Sequence, residues 1–211
     1  MKKYFVQKIK SFSKIKTTVP WKQAKKLNDF SYPWLEEEPK ETSFKALYDT
    51  KYLYVQFVVE DSNIHIYYKD GNKREVAESD RVELFFRRDK DLEPYYCLEI
   101  DPNGKVLDYR AMYYRKFEDA WSWPKGHLFV KTDLKTDGYC VEVKISLESL
   151  KRLGLLSKNE MQIGIFRGDC IALPKGNNKE STIKWISWVD PKTENPDFHV
   201  PSSFGILELV T

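Results

Sequence analysis

Tryptophans set close together in pairs are the residues of this chain best suited to recognise a ligand. Trp185 and Trp188 lie in the segment W-I-S-W-V-D-P, just before an apolar closing strand. A second pair, Trp121 and Trp123, lies in W-S-W-P. Indole rings offer large apolar faces with one polar N–H group, so such pairs could stack against a sugar or a nucleobase. The sequence therefore predicts a binding surface carried on a sheet.

The spacing within each pair predicts where the rings point. Side chains an odd number of positions apart on a regular strand face opposite sides, so one of Trp185 and Trp188 belongs to the core and the other to the surface. We take Trp188 as the candidate ligand platform, with a position at an ordinary sandwich edge as the alternative. Trp121 and Trp123 share one side of an extended segment, where they either contact a ligand or plug one end of the fold.

Acidic residues near these segments offer two further kinds of chemistry. Glu83 and Glu99 could form a carboxylate pair of the kind used in glycoside hydrolysis. With 32 acidic residues in the chain such pairs also arise by chance, and acids on a sheet face are more commonly paired with a base such as Arg81. We therefore assign no catalytic residue. The turns at Asp61 and at Asp101–Asn103 could hold a structural calcium, although no D-x-D-x-D spacing occurs.

Cysteine and histidine predict no metal or cofactor site. The three cysteines, Cys97, Cys140 and Cys170, lack C-x-x-C spacing, so neither a disulfide framework nor a zinc site is indicated. His199 lies in F-H-V-P, and we expect it to hydrogen-bond a loop rather than to bind a metal.

The charge balance argues against nucleic acid as a partner. The 35 basic and 32 acidic residues leave a net charge of +3, whereas a nucleic-acid binder would carry a clustered basic surplus. Lysines near the N-terminus, Lys14 and Lys16 among them, are expected on the solvated side of a strand. No apolar run approaches the ~18–20 residues that span a bilayer, so we expect no membrane partner. Without a clear signal peptide, the sequence as written is expected in the cytoplasm, or outside it if a leader was removed.

Strands must position these residues, because the dominant period of the sequence is two. Four segments alternate in this way: Leu53–Val59, Val82–Phe86, Tyr96–Ile100 and Tyr139–Ile145. The alternation predicts ten residues in one core: Leu53, Val55, Phe57, Val82, Leu84, Leu98, Val141, Val143, Ile163 and Ile165.

Helices have a minor place in the pattern. Ser146 can cap a short helix that ends at Gly154, and a second short helix is possible near Trp21–Phe30. We therefore predict an all-β fold, a single antiparallel jelly-roll-like β-sandwich that forms one domain over residues 1–211.

Taken in order, the segments resemble the family 9 carbohydrate-binding modules, which are DOMON-type β-sandwich domains. The matching pieces run from about Trp34 to Leu209 and include L-Y-V-Q-F-V-V-E-D, S-D-R-V-E-L-F-F, G-Y-C-V-E-V-K-I-S-L-E-S-L, W-I-S-W and F-H-V-P-S-S-F-G. Each piece alone is weak, whereas their common order is a stronger signal. The resemblance implies a soluble, non-catalytic sugar-binding module, often an appendage of bacterial enzymes of polysaccharide catabolism.

The same resemblance implies a binding site. In that family two tryptophans sandwich a terminal sugar, and charged and amide side chains bind its hydroxyls. Trp188 matches the second tryptophan, and Glu83 matches an acidic residue near Arg81. Ala77 and Cys97 stand where the family has its first tryptophan and an arginine, so we expect other aromatic residues to close over a mono- or oligosaccharide: Trp121, Trp123, Tyr67 and Tyr68. A xylanase-like glycoside hydrolase and an interaction domain that lost sugar binding are the alternatives.

Overall fold

The chain folds mostly as β-strands. A computed structural model describes residues 1–10, 18–177 and 179–210, so Lys14 and Lys16 lie outside the described residues. The described strands are β1 (Lys3–Lys8), β2 (Thr42–Tyr48), β3 (Tyr52–Glu60), β4 (Arg81–Arg87), β5 (Tyr95–Ile100), β6 (Val106–Met112), β7 (Lys116–Glu118), β8 (Leu128–Lys135), β9 (Gly138–Ser146), β10 (Glu160–Ala172), β11 (Thr182–Ser187) and β12 (Gly205–Val210). β-branched and aromatic residues are frequent in them, which suits a pleated surface packed on one or both faces.

The strands form one curled sheet whose two halves enclose a core. The order is β7-β6-β5-β4-β10-β12-β1-β2-β3-β9-β8, and β11 pairs with the C-terminal part of β10. Strand β10 joins the halves, because it pairs with β4 along one edge and with β12 and then β11 along the other. Between the described strands, only the pairs of β1 with β12 and with β2 are parallel. The predicted all-β sandwich is confirmed, with β1 as its departure from antiparallel pairing.

The core contains every residue that the alternation predicted. All ten are buried in one cluster: Leu53, Val55, Phe57, Val82, Leu84, Leu98, Val141, Val143, Ile163 and Ile165. On β4, Val82 and Leu84 point into this core. Arg81, Glu83 and Phe85 therefore point to the opposite, outer face, because side chains alternate along a strand.

A second apolar cluster covers this outer face. Its aromatic members come from β4, β5, β6 and β10 and from the segment between β11 and β12: Phe85, Tyr95, Tyr109, Phe166, Phe198 and Phe204. Phe198 stacks on Phe166 with ring centroids 4.0 Å apart and planes inclined by 9°. The segment that carries Phe198 is thus held against the sheet, and a pocket lies beside it.

The one described α-helix, α1 (Leu147–Arg152), confirms the first helix prediction. Ser146 Oγ caps it by accepting a hydrogen bond of 3.0 Å from the Ser149 amide. The second possible helix, near Trp21–Phe30, forms only as a 3₁₀ helix at Trp21–Gln23, and the chain beyond it extends to a β-bridge with β2. Within the described ranges, every helix is too short or too polar to cross a bilayer.

Candidate functional site

A pocket opens on the outer face, where β4, β5 and β11 meet the segment before β12. Its cavity volume is about 80 Å³, below the roughly 300–1,000 Å³ of pockets that enclose a drug-sized ligand, so a larger ligand would lie partly outside it. Aromatic and charged residues share its lining: Trp34, Arg81, Glu83, Phe85, Glu99, Arg115, Trp185, Pro196, Asp197, Phe198 and His199. We call this cavity the outer-face pocket.

Two carboxylates and one guanidinium form the floor of the pocket. Glu83 on β4 and Glu99 on β5 are direct partners in the antiparallel ladder, so their side chains lie side by side. Arg81 Nε donates a hydrogen bond of 2.8 Å to Glu83 Oε1 and lies 2.9 Å from Glu99 Oε2. All three residues are at most 5 % exposed. A charged cluster this deeply buried must be neutralised by its own members or by a ligand.

Burial shifts the pKa values of two residues that line the pocket, Glu83 and His199. Burial and then the neighbouring carboxylate of Glu99 raise the pKa of Glu83 to about 8, against the opposing effect of Arg81. Burial likewise lowers the pKa of His199 to about 3, so its imidazole is neutral near pH 7. The pocket therefore combines a carboxyl group that can hold a proton with an uncharged histidine.

A missing side chain on β10 makes room for the guanidinium. A Cβ atom at Gly168 would lie 2.8 Å from Arg81 Nη1, which is closer than such contacts occur. Gly168 is also the ladder partner of Trp185 on β11, so the indole stands on the same outer face. Arg81 Cζ lies over the Trp185 ring, 5.0 Å from its centroid, a cation–π arrangement.

Aromatic rings form one wall of the pocket. Phe198 packs against Trp34 and Trp185, with a centroid separation of 5.6 Å in each case. Trp34 Nε1 donates a hydrogen bond of 2.9 Å to the Thr193 carbonyl, which fixes the ring. Both tryptophans are half-buried. Flat, partly exposed indoles beside buried charges suit a ligand with apolar faces and a polar rim.

The opposite rim comes from the loop between β6 and β7. Arg115 Nη1 pairs with Asp197 Oδ1 at 3.0 Å, and the Tyr114 hydroxyl donates a hydrogen bond of 2.6 Å to Asp197 Oδ2. Tyr95 and His199 Nδ1 are hydrogen-bonded at 2.9 Å beneath this rim. The loop is therefore tied to the segment that covers the sheet.

Comparison with known families identifies the family of the chain. The sequence model of the family described as "Carbohydrate family 9 binding domain-like" matches residues 16–211. The chain belongs to this family. The predicted function, carbohydrate binding, is confirmed at the level of the family. No curated protein matches the sequence of the chain significantly.

Solved structures share the fold of this family 9 domain. A Bacteroides uniformis ATCC 8492 protein to which carbohydrate binding has been ascribed superposes with a TM-score of 0.72 and 18 % identity, over 99 % of each chain. A family 9 module from Caldicellulosiruptor kristjanssonii in complex with glucose gives 0.59 and 16 %, over 99 % of this chain and 96 % of that one. The complex of a family 9 module from the same organism with cellotriose gives 0.57 and 16 %, over 99 % and 93 %.

Two of the predicted site residues line the pocket of the domain and one is displaced from it. Arg81 and Glu83 form the floor, as described above. Trp188 is only 1 % exposed and lies in the main core, where its ring fills the space beside Gly205. The sequence assigned the core and surface positions of the W-I-S-W pair in the wrong order. Trp185 faces the pocket, and Trp188 offers no stacking surface.

The other four predicted aromatic residues lie outside the pocket lining. Trp123 is buried, and its Nε1 donates a hydrogen bond of 3.2 Å to Ser149 Oγ. Trp121 packs against Tyr96 with centroids 5.0 Å apart, so this pair fits the alternative of a plug at one end of the sandwich. Tyr68 is 76 % exposed, with Lys105 Nζ 5.9 Å from its ring centroid, and Tyr67 is half-buried beside it.

Several lining residues were missed by the sequence reasoning. Glu99 was considered as a carboxylate partner of Glu83 but not assigned to the site, although equivalent alternation on two adjacent strands places them opposite each other. In the sequence, Trp34 marks only the start of the segments that resemble the family, and nothing there assigns it to the site. Asp197 and His199 lie in an irregular segment, where no periodicity indicates direction.

The carboxylates of the two turns predicted as possible calcium sites already contact cationic or N–H groups of the protein. Asp61, Asp80 and Asp169 bring carboxylate oxygens within 4.8 Å of one another. Arg167 Nη2 lies 2.6 Å from Asp61, and Lys40 Nζ contacts Asp61 at 2.9 Å and Asp169 at 2.8 Å. These two cations neutralise part of the acidic cluster, so a calcium ion bound there would compete with them.

The second turn is also satisfied by the protein itself. Asp101 Oδ1 accepts hydrogen bonds of 2.9 Å from the amides of Asn103 and Lys105. A structural calcium at either turn stays a prediction.

Proposed function

We propose that the domain binds a saccharide in the outer-face pocket, with a sugar ring against Trp185 and polar sugar groups paired with the floor. The observation that carries this proposal is the joint presence of half-buried indoles and buried charged groups in one cavity. A pyranose offers C–H faces that pack on aromatic rings and hydroxyls that need fixed partners.

The structural neighbours support a saccharide as the ligand class. Family 9 modules of the same fold were solved with glucose and with cellotriose. The near balance of 35 basic and 32 acidic residues further supports the absence of nucleic acid among the partners.

The floor is built to bind rather than to hydrolyse. A pair of catalytic carboxylates acts on a sugar that lies between them. Here Arg81 Nε occupies that position, at 2.8 Å from Glu83 and 2.9 Å from Glu99. We therefore propose that the domain cleaves no glycoside, and that incubation with xylo- or gluco-oligosaccharides releases no product above buffer.

Calorimetric titration with xylo-, gluco- and galacto-saccharides and with amino sugars tests the proposal. With the best ligand, Trp185→Ala should lower affinity by roughly ten- to a hundredfold, about 1–3 kcal/mol, because a stacking ring and its apolar area are lost. Trp21→Ala is the matched control, since Trp21 is another half-buried indole that packs against Ile9 and Tyr54, away from the pocket.

Equal affinity of Trp185→Ala and the unmodified domain, with both folded, would place the saccharide elsewhere. The same loss in Trp21→Ala would indicate a general effect of the mutations. No binding to any member of the set would contradict the proposed function itself.

A further inference from the structure

The floor of the outer-face pocket carries more carboxylates than cations. Glu83 and Glu99 face a single guanidinium, that of Arg81, and all three are buried. At the rim, Arg115 and Asp197 pair with each other at 3.0 Å and cancel. With every group ionised, the floor would therefore hold one uncompensated negative charge.

One carboxylate oxygen, Glu99 Oε2, is ion-paired with Arg81 at 2.9 Å but accepts no hydrogen bond from it. Arg81 Nε donates to Glu83 Oε1, and its Nη1 donates to the carbonyls of Ala77 at 2.9 Å and Ser79 at 3.2 Å. Glu99 Oε1 accepts a hydrogen bond of 2.8 Å from the Tyr109 hydroxyl. Glu99 Oε2 is buried and accepts no hydrogen bond, although it lies near Nε. A buried acceptor without a donor is costly unless a ligand supplies one.

We propose that the pocket prefers a saccharide that carries a free amino group, whose ammonium donates to Glu99 Oε2. This inference rests on the proposed function and names its ligand class. A sugar hydroxyl could donate to the same oxygen, but it would leave the excess charge in place. An ammonium supplies both the donor and the missing positive charge, whereas a hydroxyl supplies the donor alone and leaves a buried charge without a counter-ion.

No other described group facing the floor provides that charge. Burial raises the pKa of Cys97 on β5 and of Tyr109 on β6, so both stay neutral near pH 7. His199, from the covering segment, is neutral because burial lowers its pKa. Arg74 lies over the outer side of the Tyr109 ring and is paired with Asp119.

The proton that Glu83 can hold gives the proposal a second signature. Because the pKa of Glu83 is raised to about 8, Glu83 holds a proton in the empty pocket near neutral pH. An arriving ammonium favours the ionised form of Glu83 and expels this proton to the buffer. Affinity for an amino sugar should therefore rise from pH 6 to pH 7.5, whereas affinity for a neutral sugar should not.

The test compares glucosamine and galactosamine, each with its N-acetyl form and its parent hexose, by calorimetry at pH 7.0. We expect at least one of the two amino sugars to bind about tenfold tighter than both of its neutral partners. Titration in two buffers of different ionisation enthalpy should show proton release for the amino sugar alone.

Variants separate the floor from the rest of the domain. Glu99→Gln keeps an acceptor for Tyr109 and removes one charge, so the ratio of amino-sugar to N-acetyl-sugar affinity should fall below about threefold. Asp133→Asn removes an exposed charge from β8, in the other half of the sheet, and should leave the ratio unchanged.

Affinity ratios below threefold for both amino sugars in the unmodified domain would overturn the inference. If neutral sugars bind in that case, the proposed function stands without it. If no saccharide of the set binds, both fail. A preference that persists in Glu99→Gln would likewise contradict the assignment of the ammonium to Glu99.

Discussion

Two buried arginines stand on neighbouring strands and point to opposite faces of the same sheet. Arg81 on β4 is the ladder partner of Gly168, the residue next to Arg167 on β10. Arg167 points into the sandwich and meets Asp61 and Asp169, whereas Arg81 points to the outer face and meets two glutamates. We call these groups the inner cluster and the outer cluster. Both contain more carboxylates than arginines. Arg81 and both glutamates of the outer cluster line the outer-face pocket, whereas the inner cluster contributes Asp61 and Lys40 to a separate, more open pocket.

The difference between them lies in the donors that surround the acids. In the inner cluster, Lys40 supplies a second cation and the Tyr32 hydroxyl donates to Asp169 at 2.9 Å. Asp80 accepts from the amides of His65 at 2.8 Å and Cys170 at 3.1 Å. The outer cluster lacks such support at Glu99 Oε2. Arg167 Nε in the inner cluster also has no hydrogen-bond partner, so the difference concerns the carboxylates. Carboxylates whose oxygens the protein satisfies stabilise the fold, and an unsatisfied carboxylate beside a pocket can recognise a ligand.

The sharpest separation of the clusters should come from removing each arginine. Arg167→Met leaves three buried aspartates with only Lys40, so we expect a loss of about 3–5 kcal/mol in the free energy of unfolding. Arg81→Met should cost less, about 1–3 kcal/mol, because Glu83 can hold a proton and both glutamates line the pocket. Urea denaturation at pH 7 measures both. Equal losses, or a loss below about 1 kcal/mol in Arg167→Met, would show that the inner cluster does not stabilise the fold more than the outer cluster.

The pH dependence of stability sharpens the account of the outer cluster. A carboxyl whose pKa is raised by folding makes the folded state hold a proton that the unfolded state releases, so stability falls as pH rises from the ordinary glutamate range towards 8. Glu83→Gln mimics the protonated form. It should therefore be more stable than the unmodified domain at pH 8, by about 1–3 kcal/mol, with the gain vanishing near pH 4.

Urea denaturation at both pH values measures this difference. Asp133→Asn, an exposed change on β8, should show no comparable pH-dependent gain. A Glu83→Gln variant that is less stable at pH 8 than at pH 4, relative to the unmodified domain, would reverse the assigned sign.

A methyl group added beneath Arg81 should affect binding more than folding. In Gly168→Ala the new Cβ would meet Arg81 Nη1 at 2.8 Å, and the guanidinium is the movable end of a long side chain. We expect saccharide affinity to fall about three- to tenfold while the free energy of unfolding falls by only about 1 kcal/mol. Titration and denaturation of the same variant measure both quantities. Unchanged affinity would show that the position of Arg81 does not matter to the ligand.

Much of the fold follows from the sequence, because alternation along a strand reports which residues one face buries. The ten predicted core residues form one cluster, and Ser146 caps α1 as predicted. The same alternation along β4 also predicts that Arg81 and Glu83 face away from the core. The family pattern then adds the order of the strands and the class of ligand.

Which residues line the pocket follows less directly from the sequence. The alternation shows that Trp185 and Trp188 face opposite sides but not which of the two faces inward. That choice depends on a long-range contact, since Gly205 on β12 leaves the space that the Trp188 ring fills. Likewise, Asp197 and His199 reach the pocket because Phe198 between them stacks on Phe166 of β10. Neither contact has a local signature in the sequence.

The indole N–H resonances of the six tryptophans test the location of the site most directly. In ¹⁵N–¹H spectra recorded during titration with the best saccharide, assigned by single Trp→Phe variants, we predict shifts for Trp34 and Trp185. The signals of the buried Trp188 and Trp123 and of the distant Trp21 should stay in place. Shifts confined to Trp188, Trp121 or Trp123, with Trp185 unmoved at saturation, would contradict the outer-face pocket as the saccharide site.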